Sequence, residues 1–214
     1  IPLAFTVSDI ADGVERFRLV GANLQPGESA AVEVEVTQSA QTAALLLSFG
    51  GFDLDLSGAD SSDPTSRFVI EVGGAGGERE LSFASGTSLA QIVDTINTFT
   101  EVTGVAARVS GTGIRLSSTG YGADAFASVH VSEDGGAVGG GAYLYGATNN
   151  NVVDPSLGVI SFVALAEPFR DFGQDVTARI NGVDYRGDGL RLRSSQSSID
   201  AIILLEQWRA QTLG

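Results

Sequence analysis

Several stretches carry side chains that could do chemistry. Asp53-Leu54-Asp55-Leu56-Ser57-Gly58 has the alternating oxygen donors that open a calcium loop, but such a loop closes with a bidentate Glu at position twelve. Counted from Asp53 that position is Pro64, which has no ligating side chain. Leu54 and Leu56 alternate with the carboxylates as in a half-buried strand with one wet face, so this is the expected reading. A looser calcium site would have to recruit Asp60 and Asp63. Arg186-Gly187-Asp188, followed by Gly189, spells the RGD tripeptide that integrins recognise, although Gly and Asp are also what a tight turn requires. His130 is the single histidine and the sole base available to a Ser–His–Asp mechanism. No G-x-S-x-G elbow accompanies it, and strand alternation over Phe126–Val131 turns it outward if Val129 and Val131 face a core. Gly73–Gly77 could cradle a phosphate, yet no helix follows directly and no basic residue anchors the loop; a flexible hairpin turn is expected.

Composition narrows the chemistry further. The 214 residues include 12 basic and 26 acidic side chains, a net charge of −14, and every basic residue is arginine. Without lysine there is no P-loop and no Schiff base. Without cysteine there is no thiol nucleophile, disulfide or zinc ribbon, and one histidine cannot build the common catalytic zinc sites. Carboxylate chemistry remains open, but aromatics are 7% of the chain and Trp208 is the one tryptophan, which is poor material for a glycosidase cleft. The negative charge opposes binding to nucleic acid or an anionic membrane. The apolar runs around Ala43–Leu47 and Ala201–Leu205 fall far short of the roughly 20 residues of a membrane helix. No catalytic, cofactor-binding or metal residue is therefore assigned. The chain starts at Ile1 without methionine, as a processed product or an excised fragment would.

The elements that position these residues read as α+β, predominantly β: antiparallel sheets with one packed amphipathic helix at about residues 88–100. Val32, Val34 and Val36 alternate with glutamates, Ala43–Phe49 suits a doubly buried strand, and Arg67–Val72 with Glu78–Phe83 forms a hairpin. Ser88 and Gln91 make a capping box, after which Leu89, Ile92, Val93, Ile96 and Phe99 form one stripe, with Gly104 as the stop. Strands resume at Val105–Ser110, Gly113–Leu116 and Phe126–Val131. The Gly- and Asn-rich stretch from Asp134 to Pro155 reads as a long loop or boundary. Val159–Leu165 follows, then Asp175–Ile180 and Val183–Tyr185 joined by Asn181-Gly182, a type I′ pair, then Leu190–Arg193. Ile199–Trp208 fits helix or strand, with Ile202–Leu205 favouring a buried strand.

The run Val69–Val131 contains, in order, a glycine-rich hairpin, ELSFASGTSLA, IVDTIN, TGV before a strand, GIRLSS and YGADAFASV. It resembles the flagellin hook IN module, named for the Ile-Asn pair that stands here at Ile96-Asn97. The flanking SAQTAALLLSFGG and DVTARINGVDYRGDGLRLR resemble flagellin central segments. The long heptad-like helices that build a flagellin filament core are missing from this sequence, so the resemblance implies the outer, solvent-facing part of such a protein. Ile96 should lie in the core, and Asn97, at the polar border, could bond a neighbouring loop.

This gives an organisation of 1–66 as a β-rich segment, 67–133 as the IN-like ββαβββ unit, 134–158 as loop or boundary, and 159–214 as a second β-rich segment packing back on the first. The resemblance implies a structural, non-enzymatic, extracellular component of the bacterial flagellum without cofactors. Its partners would be other flagellin subunits and O-linked glycans on hydroxyl-rich loops such as Ser57–Ser66 and Ser117–Thr119, with neither nucleic acid nor membrane. A hook-associated or cap protein, or a surface adhesin, is the alternative; a carboxylate-based secreted glycosidase is a remote one.

Overall fold

The capping box at Ser88 forms as its spacing requires. The Gln91 N–H donates to the Ser88 hydroxyl at 3.3 Å, and the Ser88 N–H donates to Gln91 Oε1 at 3.0 Å. Two of the four orphan donors of the first turn are thereby satisfied. Leu89, Ile92, Val93 and Ile96 follow on one buried face.

A computed structural model describes residues 7–58, 65–146, 149–153, 159–165, 167–196 and 198–213. Its strands begin with β1 (Val14–Ala22), β2 (Val34–Gln38), β3 (Ala44–Ser48), β4 (Phe68–Gly74) and β5 (Gly77–Phe83). The helices α1 (Leu89–Asn97) and α2 (Thr100–Thr103) precede β6 (Val105–Ser110), β7 (Gly113–Ser118), β8 (Phe126–Glu133), β9 (Gly141–Gly146) and β10 (Asn149–Val153). Then come β11 (Val159–Ser161), a 3-10 turn at Phe162–Ala164, β12 (Phe169–Phe172), β13 (Thr177–Ile180) and β14 (Val183–Arg186). The last elements are β15 (Arg191–Ser195), β16 (Ile199–Leu205) and the single turn α3 (Gln207–Ala210). The fold is α+β and predominantly β, with antiparallel sheets, as the alternation patterns require.

The described residues divide into two units, one drawn from 1–41, 121–123 and 174–214, the other from 42–120 and 124–173. In the second, inserted unit, β10-β9-β3-β7-β6 forms one sheet, with β11 also on β9, and β12-β8-β4-β5 forms another. Leu45, Leu47, Ile114 and Leu116 from the first sheet share a core with Phe68, Ile70, Val72 and Val129 from the second and with Ile92 and Ile96 of α1. Each such side chain contributes about 1.5–3 kcal/mol when fully buried. Asp171 of β12 accepts the Ala44 N–H of β3 at 2.7 Å and so links the two sheets. In the first, terminal unit, β1-β16-β15 and β14-β13-β2 form two three-stranded sheets. Their core gathers Val36, Val176, Ala178, Ile180, Leu192, Ile203 and Leu205. Asn181 and Gly182 both take positive φ, 48° and 81°, as the type I′ turn between β13 and β14 demands. Among the described residues, no helix is long and apolar enough to cross a membrane.

The structure departs from the sequence reading in several places. Phe52–Leu56 is not a strand. Leu54 and Leu56 are buried, but Phe52 is 71% exposed. Leu54 instead exchanges backbone hydrogen bonds with Thr87 and Gly86 in the loop before α1, which takes the groups a ladder would use. The helix expected to about residue 100 breaks after Asn97, where Phe99 leaves helical geometry (φ −107°, ψ 10°), and one further turn ends at Gly104 in the left-handed region. Residues 141–146, expected within a loop, form β9. Ala142, Tyr143 and Leu144 pair with Leu47, Leu46 and Leu45 of β3, and that apolar ladder outweighs the glycines around it. Ile199–Leu205 resolves as a central strand.

Candidate functional site

The chain's most specialised geometry surrounds Ile96 and Asn97. Ile96 is 1% exposed in the core of the inserted unit. Asn97 turns away from the core, but its partner is a sheet edge rather than a loop. Its Nδ2 donates to the Ala107 carbonyl at 3.0 Å, and its Oδ1 accepts the Ala107 N–H at 2.7 Å. Strand β6 ends its sheet, so the Asn97 amide substitutes for one rung of a missing neighbour. Two residues earlier, the Val105 N–H donates to Thr103 Oγ1 at 3.1 Å, and that hydroxyl donates to the Phe99 carbonyl at 3.1 Å. Side chains from α1 and α2 thus occupy alternate outward-facing groups of an edge that would otherwise template pairing with another chain.

The glycine-rich hairpin is part of the same packing. Its turn is only Ala75-Gly76, because Gly74 and Gly77 pair with each other in β4 and β5. The Gly76 N–H donates to the Thr103 carbonyl at 3.1 Å. A Cβ on Gly74 would lie 2.5 Å from that carbonyl oxygen, and one on Gly76 would lie 2.6 Å from the Val102 oxygen. The expectation of a flexible loop is therefore corrected: these glycines let the end of α2 approach the backbone closely.

The other sequence candidates lie apart. Asp55 Oδ1 accepts the Ser57 N–H at 2.9 Å; hydrogen bonds from the Ser57 side chain and backbone hold this carboxyl below its ordinary pKa. Asp60, Asp63 and Pro64 lie outside the described residues, and so does most of Ser57–Ser66. Among the described residues, no group of three or more His, Asp or Glu could hold a metal ion. His130 is half-buried on the outer face of β8, opposite Glu71 of β4. Ser118, offered as a glycan acceptor, is 5% exposed; its hydroxyl accepts the Ala43 N–H and donates to the Gly120 carbonyl.

The RGD tripeptide belongs to a clasp that sequence reasoning missed. Asp175 Oδ1 accepts the N–H groups of Ala123 and Gly189 at 2.9 and 3.0 Å, while Oδ2 accepts Arg186 Nε and Nη2 at 3.3 and 3.2 Å. Arg186 is thereby tied back, and Asp188 exchanges backbone hydrogen bonds with Arg191. Gly187 is packed so closely that a Cβ would lie 2.6 Å from the Arg191 carbonyl oxygen. The motif reads as a braced turn.

Comparison with known proteins places the hairpin–helix–strand region. Residues 67–120 match the family described as the flagellin hook IN motif. This segment is thus similar to a flagellin hook IN motif. Its match runs from just before β4 to just past β7 and includes Gly74, Gly76, Ile96, Asn97 and Thr103. Over nearly the whole chain, the fold resembles the D2–D3 domains of the flagellar cap protein FliD from Serratia marcescens, with 20% identity, TM-score 0.50, and 90% of this chain and 92% of that chain covered. FliD (HAP2) from Pseudomonas aeruginosa PAO1 aligns at 17% identity and TM-score 0.49, covering 92% of this chain and 81% of that one. At these identities the likeness is one of fold. No curated protein matches the sequence.

Within the IN motif, Asn97→Ala leaves the Ala107 N–H and carbonyl without their side-chain partner. The expected loss is about 2 kcal/mol, read as a lower urea midpoint at unchanged slope. Ser88→Ala serves for comparison, with an expected loss of about 1 kcal/mol for one cap. A loss for Asn97→Ala within error of zero would remove the edge-capping role. Arg115 of β7, which the sequence did not single out, is 6% exposed, and its Nε donates to Ser117 Oγ at 3.1 Å.

Proposed function

We propose that this chain is the outer, solvent-facing part of a flagellar cap protein, a structural subunit of the flagellum rather than an enzyme. The observation that carries the reading is the joint occurrence of an IN motif with a two-unit fold like that of the cap protein's D2–D3 domains across nine-tenths of the chain. What the chain supplies is a braced surface: an edge strand closed by Asn97 and Thr103, turns packed through glycine, and a clasp at Asp175. The subunit is extracellular in this reading, and its partners are other flagellar subunits. Exposed hydroxyls such as Ser57 and Thr119 are available to O-linked glycans. No cofactor, nucleic acid or membrane enters.

The second reading is the central region of a filament flagellin, favoured by the IN motif and by the flanking segments that resemble flagellin. Stoichiometry in sheared, washed filaments from the source bacterium separates the two. A cap closes one end of a filament, so quantitative peptide mass spectrometry should find its subunit far below the main filament protein. Abundance comparable with that protein would establish the filament reading instead. Absence from the filament fraction, with the protein present elsewhere, would remove both.

A further inference from the structure

The chain has six asparagines, and Asn181 alone is followed by glycine. Asparagine is chemically labile because its side-chain amide carbon is open to attack by the backbone nitrogen of the next residue. A glycine in that place carries no side chain to hinder the approach. In the turn between β13 and β14 the ladder closes at the Ile180–Val183 pair, so the Gly182 N–H lies outside it. Among the described residues no hydrogen bond holds that N–H, and a Cβ on Gly182 would meet nothing within 4 Å. The attacking nitrogen is therefore unpaired and unhindered.

The Asn181 side chain is at the same time a latch. Its Oδ1 accepts the Glu33 N–H at 2.8 Å, its Nδ2 donates to the Ala31 carbonyl at 3.3 Å, and its own N–H donates to the Glu33 carbonyl at 3.0 Å. These bonds hold the far end of the segment 24–33, which joins β1 to β2. At the near end the Asn23 N–H donates to the Ser198 carbonyl at 2.9 Å, and the bonds between Gln25 and Glu28 are internal to the segment. Among the described residues no other hydrogen bond ties 24–33 to the rest of the terminal unit. Leu24 and Val32 of this segment share with Phe17, Leu19, Ile199 and Ile203 the lining of a cavity of about 700 Å³. The latch bonds are solvent-exposed, so water competes for them and the amide is released by local opening.

We propose that Asn181 is a site of intramolecular deamidation, and that the modification releases the segment 24–33 from the turn. The Gly182 nitrogen bonds to Asn181 Cγ, the Cγ–Nδ2 bond breaks, and ammonia leaves with the proton lost from Gly182. Water then opens the five-membered imide at one of its two carbonyl carbons, and nothing is oxidised or reduced. Opening at Cγ restores the original backbone with an aspartate. Opening at the backbone carbonyl carbon gives an isoaspartate, whose main chain runs through the side-chain carbon. Either product lacks the Nδ2 donor, so the Ala31 carbonyl loses its partner. The isoaspartyl backbone is also one atom longer, which a two-residue type I′ turn does not accommodate. Both products add a negative charge beside Glu33, and Arg179, the cation next to the turn, already holds Glu35 and Asp184 at 3.3 and 3.1 Å.

Incubation of the 214-residue chain at mildly alkaline pH tests this, because the Gly182 amide must lose its proton to attack. Peptide mass spectrometry should find the exchange of NH2 for OH at Asn181 at a rate at least tenfold above that at Asn23, which precedes Leu24, or at Asn97, whose amide is held by Ala107. The modified chain, separated by its added negative charge, should exchange the Glu33 amide hydrogen at least tenfold faster than the unmodified chain, with exchange in Arg191–Ser195 unaltered. Asn181→Gly accepts the left-handed turn but has neither a reactive amide nor a latch. Its Glu33 exchange should be fast before any incubation and should stay the same afterwards. Conversion of Asn181 no faster than that of Asn23 would overturn the modification site. Glu33 exchange unchanged in the modified chain, or slow in Asn181→Gly, would overturn the latch.

Discussion

Gly74→Val should destabilise the protein by about 3 kcal/mol, an overpacking effect at the upper end of the usual range. The Cβ would meet the Thr103 carbonyl oxygen at 2.5 Å, Val105 Cγ2 at 2.7 Å and the Phe126 carbonyl oxygen at 3.1 Å. Two of these are backbone atoms of neighbouring elements, so no rotamer change relieves the clash; α2 has to move off the hairpin. That movement would also loosen Thr103, whose hydroxyl holds the Val105 N–H, so the edge of β6 should open with it. Urea denaturation followed by circular dichroism reads the stability, and hydrogen exchange at Val105 and Ala107 reads the edge. Gly21→Ala is the matched control: Gly21 lies in β1 with nothing within 4 Å of a Cβ, and replacing glycine there should change stability by less than about 1 kcal/mol. If both substitutions gave the same midpoint, the close approach of α2 to the hairpin would not be what holds this region together.

Asp175→Ala should cost about 3 kcal/mol, and the acid limb of the stability curve should reveal why. Burial alone pushes the Asp175 pKa up, but the N–H groups of Gly189 and Ala123, together with Arg186, outweigh burial and leave it below the ordinary value. The Arg186 side chain is 74% exposed and that of Asp175 is 12% exposed, so solvent screens the ion pair and the two backbone donors carry most of the effect. With the folded pKa lowered, the unfolded chain takes up its proton first. The stabilisation is therefore present above the unfolded value near about 3.9 and is lost as pH falls through the lower folded value. Asp175→Asn keeps an acceptor for the backbone donors, so it should cost less than alanine while flattening the acid limb. Asp171 provides the opposite sign. Burial raises its pKa against the hydrogen bonds from Ala44 and Phe172, so its contribution weakens as pH rises through the acidic range. Asp171→Asn should steepen the net loss on acidification. An unchanged acid limb in Asp175→Asn would show that the clasp is not a charge-dependent element.

Local rules made the regular elements legible in the sequence. Ser88 and Gln91 specify a cap through spacing alone, the stripe Leu89–Ile92–Val93–Ile96 is a period, and Asn181-Gly182 names its own turn. The IN segment was legible for the same reason, since its ordered pieces are local words. What stayed hidden depends on partners distant in sequence. Nothing beside Asn97 indicates that its amide will bond an edge strand ten residues on, and nothing beside Asp175 points to Ala123. Gly73–Gly77 looked flexible because glycine serves looseness and close approach equally well, and the choice was made by Thr103 and Val102. Phe52–Leu56 had a strand's alternation but no strand beside it, only the loop at Thr87. The strand β9 was obscured by glycines whose neighbours, Ala142 and Leu144, are held by β3. Which residues share a face of β1-β16-β15 became visible only with the register of these strands, which sets side by side residues from the two ends of the chain.

Where the protein sits on an intact cell decides whether this chain forms the proposed outer part of a flagellar cap subunit. Immunogold electron microscopy of the source bacterium, with antibody raised against the 214-residue chain, makes that measurement. Gold is expected at the distal tips of the filaments, with little along their shafts. Uniform labelling along the shafts would contradict the cap reading, and filaments without gold on cells that express the protein would contradict a place in the flagellum altogether.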